Sequence, residues 1–319
     1  LQSRPPFELI VCDDGSTDGT VAVVEAFAAE AAFPVRLERN AERLGYVRNF
    51  RRAASLCSGE LIAFSDQDDR WHPAKLERLV PVFEDPAILL VYHNAQIVTK
   101  TGGPAGLLYH AAEERAALDR TRMTPWHHSY GLVQIFRSEL REHDRWWDLS
   151  INPHTDRLDI LAHDQWYFFL AEAIGSVTFL DEVLVDYRQH GANSVGAVQK
   201  RPTIALRLRD RLEHYGRQDE RAAAAAEARA LILRRLAEER PAEKQRLLAI
   251  AERYAVLAER HHRRSMTYGG TNGFARLAHL LHSWRSGDYA DWPWGFDKRS
   301  VLRDAWSGVL LGKMNEPEI

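Results

Sequence analysis

From residue 7 to about residue 200, short continuous apolar runs alternate with stretches whose apolar positions recur every three or four residues. Phe7–Cys12 and Val35–Glu38 read as strands, and Val21, Val24 and Ala28 mark a helix between them. A second helix carries Val47, Phe50, Ala54 and Cys57 on one face and stops at Gly59. The run Leu61–Phe64, bounded by Gly59 and by charged residues, has the pattern of a strand covered on both faces. Pro73 then suits a first helical position, with Leu76, Leu79, Val80 and Phe83 following at helical spacing. Ile88–Tyr92 and Leu132–Phe136 predict further strands, and Tyr109–Met123 a helix or an ordered loop. Ser176–Leu180 and Val183–Tyr187 predict a pair of strands around Asp181-Glu182. Strand and helix in alternation predict an α/β domain over residues 1–200.

Beyond Pro202 the pattern changes. Residues 203–265 are rich in Ala, Leu, Glu and Arg, and Leu247, Ala251, Tyr254 and Ala258 are spaced four, three and four apart. Pro241 separates two helices, so residues 201–319 read as a helical region opening with a hairpin. Such helices pack on the first domain, pair with another copy as a homodimer, or lie against acidic lipid through Arg260, His261, His262, Arg263 and Arg264. After Gly269-Gly270 comes an amphipathic stretch with Phe274, Leu277, Leu281 and Trp284, then Trp292-Pro293-Trp294 near Lys298 and Arg299. Tryptophans beside basic residues suit a membrane interface or plug a small helical core, and the core reading is preferred.

Composition narrows the function. The chain has 319 residues, enough for one large domain and an appendage, and a formal net charge of -3 gives no nucleic-acid footprint. Its two cysteines, Cys12 and Cys57, fall at apolar positions and read as packing thiols, which fits a reducing cytoplasm. No apolar run approaches the ~20 residues of a spanning helix, so membrane contact would be peripheral, at the inner face. The sequence opens on Leu1 and enters a strand within a few residues, which suggests an absent upstream segment.

The chemistry concentrates at strand exits, where α/β folds gather ligands. Ser65-Asp66-Gln67-Asp68-Asp69 follows the buried run Leu61–Phe64. Three carboxylates there repel one another unless water or a cation offsets the charge, and oxygen ligands favour Mg²⁺ or Mn²⁺. A solvated acidic turn capping the next helix would look the same. Asp13 ends the first strand, where a carboxylate can accept hydrogen bonds from a base or ribose, whereas Asp18 suits the helix dipole beside Ser16 or Thr17 as cap. Arg48, Arg51 and Arg52 form a solvated basic face, or Arg48 reaches a pyrophosphate. Trp126 beside His127 and His128 would make a sugar-stacking wall, and adjacent histidines on a strand point opposite ways, against one shared metal ion.

The order strand, Asp13-Asp14-Gly15-Ser16-Thr17-Asp18, helix, strand, Asn40 to Asn49, helix, strand, Ser65-Asp66-Gln67-Asp68-Asp69 resembles the family 2 glycosyltransferases of GT-A fold. His163-Asp164-Gln165-Trp166 and Tyr187-Arg188-Gln189-His190-Gly191 are similar to later motifs of its bacterial rhamnosyltransferase-like branch. The resemblance implies a mixed, mainly parallel sheet with helices on both faces. It further implies an inverting, metal-dependent transfer from a dTDP- or UDP-sugar, rhamnose or another hexose, to a glycan or lipid-linked acceptor in surface polysaccharide synthesis. On that pattern Asp68 binds the metal, Asp66 serves ribose or metal-bound water, and His190 is a third ligand or a diphosphate contact. Asp13, Asp14, Arg48, Arg188 and Gln189 hold the donor and Asp164 is the general base; His163 is a base, an acceptor contact or a surface residue at the helix entry, and Trp126, His127 and His128, which depart from the family's commoner pattern, are acceptor-side candidates. The family begins with a further strand and helix ahead of Phe7, so a strand slot is expected that another segment covers. A nucleotide-sugar-binding scaffold without turnover is the alternative.

Overall fold

The apolar runs fold as strands and the periodic stretches as helices. The computed structural model describes residues 2–99, 101–118, 124–155, 159–189, 204–270, 272–291 and 293–310. Two compact units emerge: one from Leu1–Asp119, His128–Trp147 and Leu161–Ala197, the other from Arg120–His127, Asp148–Ile160 and Val198–Ile319. Two segments inside the expected α/β range thus group with the helical region.

The first unit runs β1 (Leu9–Asp13), α1 (Thr20–Glu30), β2 (Val35–Arg39), α2 (Tyr46–Leu56), β3 (Leu61–Ala63), β4 (Arg70–Trp71), α3 (Lys75–Leu79), β5 (Ile88–Val98), β6 (Pro104–Leu107), α4 (Ala111–Ala117), β7 (Gln134–Arg137), α5 (His163–Ile174) and β8 (Ser176–Arg188). After α3 the chain tightens into a 3₁₀ turn, Val80–Glu84, because Pro81 has no N–H to continue an α-helical ladder. Strands β1 and β2 pair in parallel, Leu9 opposite Val35 and Asp13 opposite Arg39, as a two-stranded sheet. The other strands form a mixed sheet in the order β3-β7-β5-β8-β4, with β6 on β5. Within it only β5 and β8 are parallel, while β3–β7, β5–β7, β4–β8 and β5–β6 are antiparallel, so the sheet is mixed as expected but mainly antiparallel rather than mainly parallel. Among the described residues no strand lies on the second edge of β1 or of β3, so the expected covering of a strand slot is not found there.

Strand β5 is the axis of the sheet. Leu89 to Ala95 are all buried, and the two polar members are hydrogen-bonded within the core: Asn94 exchanges bonds with the backbone of Tyr109, and His93 Nδ1 lies 2.7 Å from the Asn94 carbonyl. The expected strand pair around Asp181-Glu182 is one strand, β8, with an irregularity. Its register on β5 steps from Leu180 opposite His93 to Val183 opposite Asn94, and the two intervening residues project outward, Glu182 meeting Arg78. Helix α5 buries every residue but Asp164 and Glu172, more than the one-sided burial its aromatic run suggests. Tyr167 stacks on Phe136 at 4.1 Å, Trp166 stacks on Trp147, and the Asp144 carboxylate accepts from both Trp166 Nε1 and the Tyr167 hydroxyl at 2.9 Å. That shared acceptor satisfies two polar atoms that burial would otherwise strand.

The second unit contains α6 (Ile204–Glu239), α7 (Lys244–Gly269), α8 (Gly273–Arg285) and α9 (Lys298–Asp304), the last running on through 305–310 in wider turns. Pro241 lies between α6 and α7 as expected, and their contact is lined by small residues such as Ala222, Ala225 and Ala226 against Leu247, Tyr254 and Ala258. Within the basic run at 260–264, His261 and Arg264 are buried and Arg260 and Arg263 partly so, while His262 is exposed. Arg264 donates to Asp304 (2.7 Å) and Asp219 (2.9 Å), Arg263 to Asp288 (2.7 Å), and His261 lies 2.9 Å from Asp219. Trp294 is a core plug, packed on Tyr254, whereas Trp292 lies outside the described residues. Among the described residues no helix is long and apolar enough to cross a membrane.

Gly175 ends α5 where a Cβ would stand 2.5 Å from Leu89 Cδ1 and 3.0 Å from the Ala87 carbonyl. Gly175→Ala is therefore expected to destabilise the sheet unit by roughly 1–3 kcal/mol, read as a lower urea midpoint with an unchanged slope.

Candidate active site

Residues 65–69 leave β3 and return through β4, which is pinned to β8 by Arg70 opposite Asp186 and Trp71 opposite Val185. Asp69 fixes the far side of this loop: its Oδ1 accepts the Arg188 backbone N–H at 3.0 Å, and its Oδ2 is buried without a hydrogen-bond partner. Burial, then the neighbouring carboxylates Asp69, Asp68 and Asp164, push the Asp66 carboxyl from 3.8 up to about 7. Asp69 is also raised, to about 6, by burial and by Asp68, against the Arg188 hydrogen bond. Asp68 and Asp69 from the loop and Asp164 from the start of α5 thus all act electrostatically on Asp66.

Beneath them lies a residue that the sequence reading missed. Lys75 is fully buried, its Nζ donating to the Leu132 carbonyl at 2.7 Å and standing 3.8 Å over the Trp71 ring. Burial drives its pKa well below the ordinary lysine value, and Asp69 and Asp66 pull it back up. The same ammonium, after burial, helps keep His93 neutral. One signal was available: Lys75 stands four residues before Leu79 and next to Leu76, a charged residue at a core position of a short helix.

Asp164 is held from two sides. Its Oδ2 accepts the Gly131 N–H at 3.1 Å, its Oδ1 the Gln165 N–H at 2.8 Å, and its carbonyl accepts from Gln134 Nε2. Gly131 is required by close approach, since a Cβ there would sit 2.7 Å from His163 Nε2. His163, read from sequence as a surface or acceptor-facing residue, is buried. It stacks on Phe50 at 4.1 Å and meets the Phe64 edge at 4.6 Å, and burial lowers its pKa, so it is a neutral packing piece that seats the start of α5 against α2.

The other anticipated residues divide. Asp13 is buried at the end of β1, its carboxylate accepting the Ser16 N–H at 3.2 and 3.3 Å, which with Ser16 holds its pKa low. Asp14 braces a different loop, accepting from Asn40 Nδ2, Leu44 N and Gly45 N at 2.7, 2.7 and 2.9 Å. Asp18 ties down the first turn of α1 through Thr20, the role expected of it, while neither Ser16 nor Thr17 caps that helix. Arg48 is exposed in the first turn of α2, whereas Arg51 donates to the Asp144 carbonyl and Arg52 to Asn40 and Glu38, so two of the three arginines are not a solvated face. The Arg188 side chain is exposed at the end of β8, and Gln189 N bonds the Val98 carbonyl. His190 lies outside the described residues. Trp126 and His127 belong to the helical unit, where Trp126 packs near Tyr254 and under Arg229 at 4.8 Å, while His128 belongs to the sheet unit beside Tyr130.

Among the described residues no three His, Cys, Asp or Glu side chains converge closely enough to hold a metal ion. Carboxylate oxygens are the donor type that a hard cation takes, and Asp66, raised by burial and then by its carboxylate neighbours, would lose part of that repulsion beside one.

Residues 1–143 match the model described as Glycosyl transferase family 2, a likeness that covers a little under half of the chain. An uncharacterized glycosyltransferase of Nostoc sp. is 27% identical over 202 residues, 60% of this chain and 59% of that protein. The Escherichia coli UDP-Glc:alpha-D-GlcNAc-diphosphoundecaprenol beta-1,3-glucosyltransferase WfgD is 28% identical over 138 residues, 39% of this chain and 53% of that protein. The structure of Staphylococcus aureus TarS 1-349 in complex with UDP-GlcNAc is 17% identical, covering 96% of this chain and 85% of that one with a TM-score of 0.49. The chain spans less than two thirds of the length of these curated relatives.

Two outcomes test the geometry. Asp66 and Asp69, raised to about 7 and about 6, keep protons in the folded chain at pH values where the unfolded chain has lost them. The contribution of these two carboxyls to stability, without divalent cation, therefore falls as pH rises from ~4 to ~7 and then levels off, so the gain of Asp66→Asn over the parent grows across that window to on the order of 2 kcal/mol at alkaline pH, measured by urea unfolding. Gly131→Ala, by displacing His163, is expected to change the NMR chemical shift of the Asp164 carboxylate while leaving far-UV circular dichroism unchanged.

Proposed function

We propose that the chain transfers a sugar from a nucleoside diphosphate donor to an acceptor hydroxyl, with inversion at the anomeric carbon. The electrostatic coupling of Asp66 with Asp68, Asp69 and Asp164 at the exit of β3, in a chain whose first 143 residues match a glycosyltransferase family model, supports this reading. Asp68 and Asp66 would hold a divalent cation, Mn²⁺ or Mg²⁺, which when bound supplies Lewis-acid stabilisation to the departing diphosphate. Lys75 lets the carboxylates stay together before the donor arrives. Asp164 takes the proton of the attacking hydroxyl. The Gly131 N–H on its Oδ2 fixes the carboxylate's orientation, and attack from the face opposite the leaving group gives inversion in a single displacement.

The finer assignments rest on resemblance and on the relatives. Arg48 and the exposed Arg188 would meet the diphosphate, with Gln189 and, outside the described residues, His190 beside them. The donor is a dTDP- or UDP-sugar, a deoxyhexose such as rhamnose first among them, and UDP-glucose is the donor named for the Escherichia coli relative. That relative's named acceptor is a diphosphoundecaprenol-linked sugar, which supports a lipid-linked or glycan acceptor in surface polysaccharide synthesis. His128 is the remaining acceptor-side candidate of the Trp126–His128 segment. The alternative reading is a nucleotide-sugar-binding or scaffold protein without turnover, which keeps the donor site but not the transfer.

Incubation with Mn²⁺ or Mg²⁺ and a panel of nucleotide-sugars, following nucleoside diphosphate release, separates the two. Turnover that falls roughly 10²–10⁴-fold in Asp164→Asn, with nucleotide binding kept, is the expected result. Asp68→Ala is expected to abolish the response to metal. Nucleotide binding without release from any donor would establish the second reading, and unimpaired turnover in both variants would remove these residues from the site.

A further inference from the structure

Helix α8 is amphipathic in the wrong direction for a helix whose partners all lie within its own unit. Phe274, Leu277, Leu281 and Trp284, spaced three, four and three apart, form one stripe and are 89%, 41%, 38% and 62% exposed. Its buried side carries Arg276, Leu280 and Ser283 instead, with Arg276 donating to the carbonyls of Gly270 and Val309. Exposing a phenylalanine and a tryptophan while enclosing an arginine costs free energy in water, and a contiguous apolar patch of this kind marks a docking surface. The neighbouring helix repeats the pattern. Leu302 and Trp306, four residues apart and 73% and 60% exposed, follow Lys298 at the same spacing, and α8 contacts both α9 and the 305–310 turns.

The charge around this face is predominantly basic, although Asp291 and Asp297 are exposed near it. Gly273 to Gly287 contain no Asp or Glu, and the acids that follow are engaged within the unit. Asp288 is bound by Arg263, Asp304 by Arg264, Asp291 lies 3.7 Å from Arg260, and Asp297 caps α9 through Ser300. Arg285, Lys298 and Arg299 are left exposed beside the apolar stripe.

We propose that the outer face of α8 and α9 docks on an anionic lipid surface, its phenylalanine, leucines and tryptophans entering the headgroup boundary and its basic residues pairing with lipid phosphates. Aromatic rings flanked by cations match that boundary, and apolar burial combined with attraction to anionic headgroups is how surface-bound helices hold. Charge selects this occupant over a second copy, because a two-fold interface through the same face would oppose its own cations. The inference is independent of the transfer reaction.

Flotation of the full chain with vesicles of phosphatidylcholine, alone or mixed with phosphatidylglycerol, needs no nucleotide-sugar and so reads the surface apart from the activity. The chain is expected to float with the mixed vesicles alone and to be released by high salt. Leu281→Ser with Trp284→Ser, and separately Lys298→Glu with Arg299→Glu, should each weaken partition by about tenfold or more, with the helical circular dichroism unchanged. The charge pair keeps the test decisive should the apolar pair misfold. No flotation at low salt, equal partition onto both vesicle types, or a dimer that the apolar pair dissolves would each overturn the proposal.

Discussion

The repulsion among carboxylates at the end of β3 is the constraint to which the sheet unit answers. Two unit charges about 4 Å apart interact by ~4 kcal/mol at an effective dielectric near 20, comparable to much of a domain's net stability. The fold meets this with a proton on Asp66 over part of the pH range, a backbone hydrogen bond to Asp69, and Lys75 buried under the loop. Each device needs a different part of the sheet: β8 delivers the Arg188 N–H, the 131–133 turn delivers the Leu132 carbonyl, and Trp71 on β4 supplies the ring over which the ammonium sits. The acidic loop is therefore a product of the whole sheet and not of its own five residues.

Much of this was legible in sequence. Continuous apolar runs gave the strands because a strand covered on both faces leaves nothing else to read, and β5 is the plainest case. What failed to show were features made by distant partners. Asp181-Glu182 looks like a turn, yet the pairing of β8 with β5 on both sides of it carries the strand through. Lys75 looks like a solvated charge until the Leu132 carbonyl, 57 residues away, is brought above it. His163 looks like a surface residue at a helix start, and only the packing of Phe50 and Phe64 around it makes it aromatic filler. The carboxylate cluster itself was visible as a pattern in one loop, but its fourth member, Asp164, was attached to it through resemblance alone.

The helical unit shows the same lesson with the sign of the charge reversed. Most of the basic run at 260–264 is drawn inward because Asp219, Asp288 and Asp304 reach it across 25 to 45 residues of chain. Burial pushes the Asp304 carboxyl up, and hydrogen bonds from Arg264, Tyr268 and Tyr289 hold it below its ordinary value. A buried ion-pair network of this kind is weak evidence for stability but fixes how α7, α9 and the 288–297 segment meet. With small alanines between α6 and α7, the unit spends its polar groups on its inside.

The division of the strands into two sheets has a consequence for what each sheet can pair with. β1 and β3 each keep one strand-pairing edge without a strand neighbour among the described residues, and β1 is the apolar run Leu9-Ile10-Val11-Cys12 closed by Asp13. Asn49 Nδ2 covers the Cys12 carbonyl, but an edge of this composition lacks the lysines and prolines that normally discourage templating. The backbone groups along that edge are open to pairing with an incoming strand, and the hydrogen bond from Asn49 shields one carbonyl of it.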